Sequence, residues 1–435
     1  MRALLGHAQR KNAWGLSEDA GHGAPYAFQH LLLRAKWDAD AVRDDDLEYA
    51  RRSLGEGGVL AVDETGFLKK GDKSVGVARQ YTGTAGNIEN AQVGVFLSYA
   101  TPRGHALVDR ELYLPEAWTQ DVARREASGI PEDVDFESKP ALAQGMLQRV
   151  LASGLKPAWV VGDEVYGRDN TLRRFLEGLR QPYVLTVAAN THVWRGFYQV
   201  KPGDMGQLVP PTCWVRLSAG PGSKGPRLYD WARMRLNRHL GLSRWLLFRR
   251  SLVDGKMAFY IAHARRNASL ASLVRAAGSR WAIEDDFESA KGEVGLADYE
   301  VRTWTPWHRH TTLCLVAHVF LANAQAMANL PPRRDCPPKR SACRREETPC
   351  GRFSSGRAFT DSPRPLLRPG DSAPAAGPLA AHAPASYRCP PVESVATAPS
   401  SRRHALPLPS TWRQTQTATV GLSTKAPRYS SRGPC

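Results

Sequence analysis

The sequence predicts an α/β fold in which helices cover a mixed β-sheet. Between residues 59 and 101 three β-like runs are separated by glycine-containing turns: an apolar run in VLAVDETGFLKKG that breaks off at Asp63, then SVGVARQYTG and QVGVFLSYAT. A helical run follows from Pro140 to Ser153, and the pattern then returns to strand, helix and strand up to residue 190. The order β-β-β-α-β-α-β is typical of a mixed sheet with helices on its faces.

Further segments flank this region on both sides. Residues 26–55 are interpreted as two helices, of which the second begins after Asp38 as its N-cap and ends at the glycine-rich LGEGG. Between Asn190 and Gly255 helical periodicity is lost and short β-like runs alternate with Pro, Gly and Trp, which predicts a β-rich insertion. Helical patterns resume from Ala271 onward.

The composition changes sharply after Leu330. Residues 331–435 hold 18 of the 31 prolines, 5 of the 7 cysteines and +11 of the +17 formal charge of the 435-residue chain. Because this tail has no sustained period of 2 or 3.6, we predict that it is disordered. Two interpretations stay open: a basic DNA-binding arm, or translation in a shifted reading frame. The +6 carried by the rest of the chain suits an anionic partner such as nucleic acid.

These changes predict five regions. They are a helical N-terminal segment (1–56), the first part of a core (57–190), the β-rich insertion (191–255), the C-terminal helices of the core (256–330) and the Pro/Arg-rich tail (331–435).

Cysteine usage and hydropathy exclude several classes of protein. Only Cys213 and Cys314 lie within the first 330 residues, so neither a disulfide framework nor a Cys-rich zinc site is predicted there. The N-terminus lacks the apolar core of a signal peptide, and no membrane span is predicted. We therefore expect a soluble, cytoplasmic protein that does not act at a membrane.

Two aspartates follow similar apolar runs. VLAV precedes Asp63 and AWVV precedes Asp163, so each carboxylate is predicted to lie where a buried strand emerges into a loop. With a helix-borne glutamate, such aspartates supply the hard oxygen ligands that Mg²⁺ requires in a two-metal phosphoryl-transfer site. Clustered carboxylates repel one another unless a divalent cation lies between them.

The third carboxylate belongs to a cluster on one predicted helix: Glu284, Asp285, Asp286 and Glu288. Arg280, Glu284 and Lys291 share one helical face, so we interpret Glu284 as the metal ligand and the two basic residues as phosphate contacts. Glu288, one turn further, is the reserve candidate. On the same helix Trp281, Ile283 and Phe287 are expected to pack against the sheet, and further along, His308 and His310 are expected to be structural or to face DNA.

Four stretches in this order carry a family resemblance. They are VDETGFLKKGDKSVGVARQYTGTAGNIENAQVGVF, ELYLPEAW with the later GIPEDVDFESKP, WVVGDEVYG, and RWAIEDDFESAKGEVGLADYEVRTWTPWHRH. Together they resemble the insertion-sequence DDE transposases of the IS-four-like and IS-seven-hundred-and-one-like groups, also called DDE superfamily endonucleases. The resemblance extends from about Lys11 to Leu330.

The resemblance implies an RNase H-like catalytic core interrupted by a β-rich insertion. It makes Asp63, Asp163 and Glu284 the catalytic, metal-binding residues, with two Mg²⁺ ions and Mn²⁺ as an alternative ion. Arg280, Glu284 and Lys291 match the R-x3-E-x6-K part of the family signature. The family's tyrosine, seven positions before the glutamate, is replaced by Ala277, which puts only that tyrosine's contribution in doubt.

The resemblance also implies an activity and partners. Such enzymes hydrolyse a phosphodiester at the transposon end and direct the freed 3′-OH at target DNA. The expected partners are double-stranded DNA, as terminal inverted repeats and target, and a second copy of the chain in a homodimeric DNA complex. The expected location is the bacterial cytoplasm, at the nucleoid when bound to DNA.

Each of the further predicted DNA contacts has an alternative interpretation. Lys69, Lys70 and Lys73 are interpreted either as phosphate contacts or as a solvated loop. A tryptophan of the insertion, from Trp194, Trp214 and Trp231, would stack on a flipped base if cleavage formed a hairpin, with core packing as the alternative.

Two rival functions differ in their predicted features. A haloacid-type phosphatase would explain the Asp and Thr of VLAVDETG, but it requires a second Asp at position 65, which is Thr65. A degenerate transposase that binds DNA without cutting is suggested by the aberrant tail and by a start, at Met1, that lacks the N-terminal helical DNA-binding segment expected of relatives.

Overall fold

The computed structural model describes residues 1–222 and 224–329. The tail predicted to be disordered, residues 331–435, lies outside the described residues.

The strands lie in two groups, before and after residue 190. The first contains β1 (Val59–Leu68), β2 (Ala78–Thr82), β3 (Asn87–Thr101), β4 (Gly104–Tyr113), β5 (Trp159–Gly162) and β6 (Tyr183–Val187). The second contains β7 (Val193–Arg195), β8 (Tyr198–Val200), β9 (Val215–Ser218), β10 (Leu228–His239), β11 (Leu242–Arg250) and β12 (Met257–Ala264).

The helices are distributed along the whole described chain. They are α1 (Ala13–Asp19), α2 (Tyr26–Leu33), α3 (Ala39–Leu54), α4 (Glu116–Thr119), α5 (Val122–Ser128), α6 (Lys139–Ala152), α7 (Glu164–Gly167), α8 (Asn170–Gly178), α9 (Pro202–Gln207), α10 (Leu270–Gly278), α11 (Trp281–Glu293) and α12 (Trp304–Ala328). Asp38 caps α3 as predicted, accepting a hydrogen bond from the Asp40 amide at 2.8 Å.

Most of the strands form one ten-stranded mixed sheet. Its first half has the order β4-β3-β1-β5-β6, with β2 paired to the overhanging end of β3. Strand β1 is antiparallel to β3 and parallel to β5, and β5 is parallel to β6. The α/β class with a mixed sheet is therefore confirmed, and the strand order suits the expected RNase H-like core.

Strands β9, β10 and β11 of the predicted insertion extend the same sheet through β12 (Met257–Ala264), a strand that lies in the region predicted to hold the C-terminal helices. After β6 the order continues β12-β11-β10-β9, all antiparallel, and only β7 and β8 form a separate hairpin. Backbone hydrogen bonds thus connect β12, β11, β10 and β9 continuously to the core. The division into five regions stays a prediction.

Two apolar cores cover the two faces of the sheet, and β1 shows how one strand serves both. Leu60 and Val62 belong to the core packed by α3, α6 and α8. Ala61 and Phe67 belong to the core packed by α10 and α11. Because side chains alternate along a strand, Asp63 and Thr65 face α11, whereas Glu64 faces α6.

The helical pattern predicted from Ala271 onward begins with two helices, α10 and α11, because helical structure is interrupted between Gly278 and Trp281. A Cβ atom on Gly278 would lie 1.7 Å from the Ala219 carbonyl oxygen, so α10 ends in direct backbone contact with the β9–β10 connection. Arg227 accompanies this contact by donating to the Gly278 carbonyl at 3.0 Å. The break lets α11 start at the site described below.

Helix α12 is the one described helix that is long and apolar enough to cross a membrane, by length and composition alone. No membrane span was predicted from the sequence at this position. Half of the helix's apolar stretch is buried inside the protein. Trp307, Cys314 and Leu315 lie in one apolar core and Val319 in the other, as in the core helix of a globular domain.

Candidate active site

Asp63 and Asp163 lie side by side on neighbouring parallel strands. Val62 pairs with Gly162 at the last position of the parallel ladder, so the two aspartates follow it directly in register. Adjacent strands are about 4.8 Å apart, which places both carboxylates at the same edge. Asp163 caps the short helix α7 and accepts a hydrogen bond from the Val165 amide at 2.8 Å.

The prediction that both aspartates end a strand is right for Asp163 and wrong for Asp63. Strand β1 continues for five residues past Asp63 to Leu68 because β3 pairs with it over its whole length. By contrast, β5, the parallel neighbour of β1, ends at Gly162, and the candidate site lies beyond that end.

Arg280 connects Glu284 to the edge of the sheet where Asp63 and Asp163 lie. The Arg280 guanidinium donates to Asp63 Oδ2 at 2.7 Å and also to Glu284 Oε1. Arg280 therefore bridges the half-buried carboxylate of Asp63 on β1 and the more exposed carboxylate of Glu284 on α11. The structure brings all three predicted carboxylates to one region, with the arginine between two of them.

Lys291 lies two turns further along α11 and donates to Thr65 Oγ1 at 2.7 Å. Ile283 is fully buried and Phe287 packs edge-on against Phe96, as predicted. The expectation for Trp281 is wrong. Its ring is 44% exposed and stacks on Arg227, because it is the first residue of α11 and projects beyond the edge of the sheet core.

A second carboxylate of β1, Glu64, was not predicted. Its Oε1 accepts from Lys139 Nζ at 2.7 Å and its Oε2 from the Tyr166 hydroxyl at 2.6 Å. Tyr166 is fully buried and belongs to α7, the helix that begins directly after Asp163. Glu64 thus ties the Asp163 loop to β1 from the opposite face. Its position next to Asp63 was a sequence signal, but its partners come from distant segments.

Burial and mutual repulsion disfavour the ionised form of both aspartates and so raise their pKa values. Burial, with the charges of Asp163 and Glu64, raises the pKa of Asp63 to about 7 in spite of Arg280. Burial and the charge of Glu64 also raise the pKa of Asp163. Such pKa shifts occur where carboxylates converge without a metal between them, and they are typical of functional sites.

The chemistry of the donors fits a divalent ion, although the side chains are not gathered around one. Across residues 1–222 and 224–329, no three His, Cys, Asp or Glu side chains are grouped closely enough to hold a metal ion. The Arg280 guanidinium supplies positive charge between Asp63 and Glu284 instead. Metal binding would require Glu284 to turn from Arg280 toward the aspartates.

Helix α11 is fixed on its other side by Asp286. This carboxylate is fully buried, receives a hydrogen bond from Ser98 and lies 2.7 Å from His105 Nδ1. The reserve candidate Glu288 is exposed. Of the acidic cluster, Glu284 is therefore the residue joined to Asp63, while Asp286 is structural.

The three predicted lysines lie away from the aspartates. Lys69 is six residues beyond Asp63 on an extended strand, which corresponds to about 20 Å. Its ammonium lies 3.7 Å above the Tyr299 ring, and burial lowers its pKa to about 8. Lys70 and Lys73 are exposed.

The tryptophan and histidine candidates differ in how deeply their side chains are buried. Trp231 is a core residue with 1% exposure, whereas Trp194 on the β7–β8 hairpin is 51% exposed. Trp214 is half-buried beneath Arg250. His308 and His310 are both buried in α12, where His310 lies 3.1 Å from the Gly295 carbonyl oxygen. Their position indicates a structural role.

Comparison with known proteins gives two matches. Residues 1–216 match the model of the DDE superfamily endonuclease family, a range that includes Asp63 and Asp163 and ends before Glu284. The chain is also 27% identical over 192 residues to the probable transposase for insertion sequence element IS701 of Microchaete diplosiphon. That alignment covers 42% of this chain and 46% of the relative, so the similarity spans about half of the relative's length.

Proposed function

Because the chain belongs to the insertion-sequence transposases of the DDE superfamily, we propose that it cuts DNA at the ends of its own element and joins them to target DNA. The observation that carries this proposal is the register of Asp63 and Asp163 on adjacent parallel strands, with Glu284 linked to Asp63 through Arg280. The similarity to the IS701 transposase supports it.

We propose that Asp63, Asp163 and Glu284 bind two Mg²⁺ ions, which Mn²⁺ can replace. Bound ions of this kind activate water and stabilise the attacking and leaving oxygens of a phosphodiester. A DDE superfamily endonuclease is expected to need a divalent metal, and the oxygen donors suit Mg²⁺.

The basic residues act on the phosphate. Arg280 offsets the charge of Asp63 and Glu284, and its planar guanidinium has further donors for a phosphate oxygen. Lys291, held by Thr65 on the same side of α11, adds a second positive charge. Burial lowers the pKa of Lys291, so a phosphate near it would favour its protonated form.

The proposed substrates are the terminal inverted repeats of the element and a target duplex. The exposed Lys70 and Lys73 are placed for phosphates outside the site, whereas Lys69 is held on Tyr299. Trp194 is the exposed tryptophan of the three considered for stacking on a base. The haloacid phosphatase alternative gains no support, because β1 continues past Asp63 beside an antiparallel β3.

Mg²⁺-dependent cleavage of a duplex carrying the element's own ends tests this function. We expect strand cleavage by the unaltered chain and a loss of at least 100-fold in Asp63→Ala, Asp163→Ala and Glu284→Ala, as for removal of essential catalytic groups. Glu288→Ala is the matched control, because this exposed carboxylate on the same helix should be dispensable.

Three results would change the proposal. Cleavage that survives Glu284→Ala but not Glu288→Ala would move the third ligand to Glu288. Cleavage by all variants would overturn the site. Specific binding of the ends without cleavage by the unaltered chain would identify the degenerate transposase instead.

A further inference from the structure

A cluster of arginine and aromatic side chains lies on the same sheet face as Asp63, across the extension of the sheet. We name it the Arg249 cluster, and it consists of Tyr229, Trp231, Arg249 and Tyr260. The Arg249 guanidinium carbon lies 4.6 Å from the centre of the Tyr229 ring and 6.0 Å from that of Tyr260. The Trp231 ring packs between the two tyrosine rings, and its centre lies 5.7 Å from that of Tyr260.

Strand register relates this cluster to the candidate active site. Gly162 pairs with Leu185 and Thr186 pairs with Tyr260, so Asp163, Thr186 and Tyr260 follow one row across the sheet. Arg249 lies on the next strand, opposite Trp231. Arg249 is three strands from Asp163 and two residues away from this row along β11. With about 4.8 Å between strands and about 3.3 Å per residue, it lies roughly 16 Å from Asp163, or about four to five base steps of 3.4 Å along a DNA strand.

Arg249 has no anionic partner within the described part of the chain. Its recorded interactions are the two tyrosine rings, which orient the guanidinium without neutralising it. The neighbouring Arg250, on the opposite face of β11, instead forms an ion pair with Asp230 at 3.2 Å. An oriented, partly buried cation without a carboxylate is suited to receive an anion from outside.

The charges around the cluster point to the same kind of ligand. Burial raises the pKa of Tyr260, and the charges acting against that rise include those of Arg249, Arg280 and Arg227. All three guanidinium groups therefore act electrostatically on Tyr260, and Arg249 also lies over its ring. A run of positive charge leading from an acidic catalytic edge is the pattern expected for a nucleic-acid strand.

We propose that Arg249, held by Tyr229 and Tyr260, binds a backbone phosphate of the DNA duplex about four to five nucleotides from the scissile phosphate. This inference rests on the proposed transposase function and adds the path of the substrate, across β6, β12 and β11 on the α11 face. The contact positions the duplex and reads no base, so it acts on any sequence.

Fluorescence-anisotropy titrations at several salt concentrations test the proposal, with a duplex of the element's own end and a scrambled duplex of equal length. Arg249→Gln should weaken binding to both duplexes about five- to tenfold at low salt and lower the slope of log affinity against log salt by about one. Arg250→Gln, on the same strand but the opposite face, is the matched control and should change neither quantity. Equal melting temperatures of the two variants would exclude a folding defect.

A second measurement separates a phosphate contact from an indirect effect of the substitution. Neutral methylphosphonates are placed singly along the strand near the cut. One replacement about four to five nucleotides from the cut should weaken DNA binding by the unaltered chain but not by Arg249→Gln, so that the two losses do not add.

Each outcome has a distinct meaning. Unchanged affinity and salt slope in Arg249→Gln, with cleavage intact in the unaltered chain, would overturn this inference and leave the transposase function standing. Additive losses at every methylphosphonate position would also overturn it. Failure of the unaltered chain to bind or cut the duplex would overturn both proposals together.

Discussion

Asp46 in α3 is a buried carboxylate without a compensating partner among the residues that the structure describes. It is 4% exposed, and neither of its oxygens forms a hydrogen bond with them. Burial raises its pKa from 3.8 to about 8. The folded state therefore retains a proton that the unfolded state releases between these two values. Stability contributed by this group is complete below pH 4 and is lost as the pH rises toward 8.

We predict that Asp46→Asn removes this pH dependence. The variant should be more stable than the unaltered chain at pH 8, with a gain on the order of 5 kcal/mol as an upper bound, and similar to it near pH 4. Urea unfolding followed by circular dichroism at pH 5, 6.5 and 8 measures the difference. Asp45→Asn, at the exposed residue that precedes Asp46, should leave the pH dependence of stability unchanged. A pH-independent effect of Asp46→Asn would contradict the prediction.

At the level of residues, the sequence was most informative where a residue of the candidate site followed a recognisable local pattern. Asp63 and Asp163 follow apolar runs, and Glu284 shares a helical face with two basic residues. Glu64 and Arg249 lack such a pattern because their roles depend on partners brought together by folding. The double pairing of Arg280 with Asp63 and Glu284 joins segments more than 200 residues apart.

Among the elements, α7 places Asp163 by packing its backbone directly on β6. A Cβ atom on Gly167 would lie 1.7 Å from the Thr186 carbonyl oxygen, a backbone atom that cannot move alone. We predict that Gly167→Ala displaces α7 and lowers cleavage at least tenfold, because misplacement of a catalytic group by about 1 Å has a large cost. Gly145→Ala, at an exposed site of α6 with open space, should keep full cleavage and gain about 1 kcal/mol.

Helix α11 depends on the buried anchor formed by Asp286, Ser98 and His105. Removing one partner of a buried, hydrogen-bonded charge typically costs about 3–5 kcal/mol. We therefore predict that Asp286→Ala lowers the melting temperature strongly and reduces cleavage, since Glu284 and Arg280 lie on the same helix. Asp285→Ala, at the less buried neighbouring residue, is the control. Equal melting temperatures of the two variants would show that the anchor contributes little.

Elements with strong local periodicity were predicted with nearly correct bounds. Helix α6 was expected from Pro140 to Ser153 and extends over Lys139–Ala152. The β-rich insertion was recognised as β structure, but its attachment to the edge of the core sheet was not predicted. Strand pairing between β6 and β12 joins residues about 75 positions apart, and a single sequence contains no signal for such a register.

On the scale of the whole molecule, positive charge is concentrated after residue 330. A chain ending at Asn329 keeps every described helix and strand, while the net charge falls from +17 to +6. We predict that this shorter chain binds non-specific DNA more weakly at low salt, that the difference shrinks as salt is raised, and that cleavage is retained. Loss of cleavage at all salt concentrations would show that the tail contributes to the fold or the site.

The presence of one candidate active site per chain leads to a final prediction about assembly. An element has two ends, and joining both to one target requires two sites, so we expect two chains in the complex with end DNA. Light scattering after size exclusion, with Asp63→Ala to prevent cutting, should give a complex containing twice the 47.9 kDa chain mass. A scrambled duplex should not pair chains in this way. A single chain on each end duplex would contradict the dimer and would require the two ends to be cut independently.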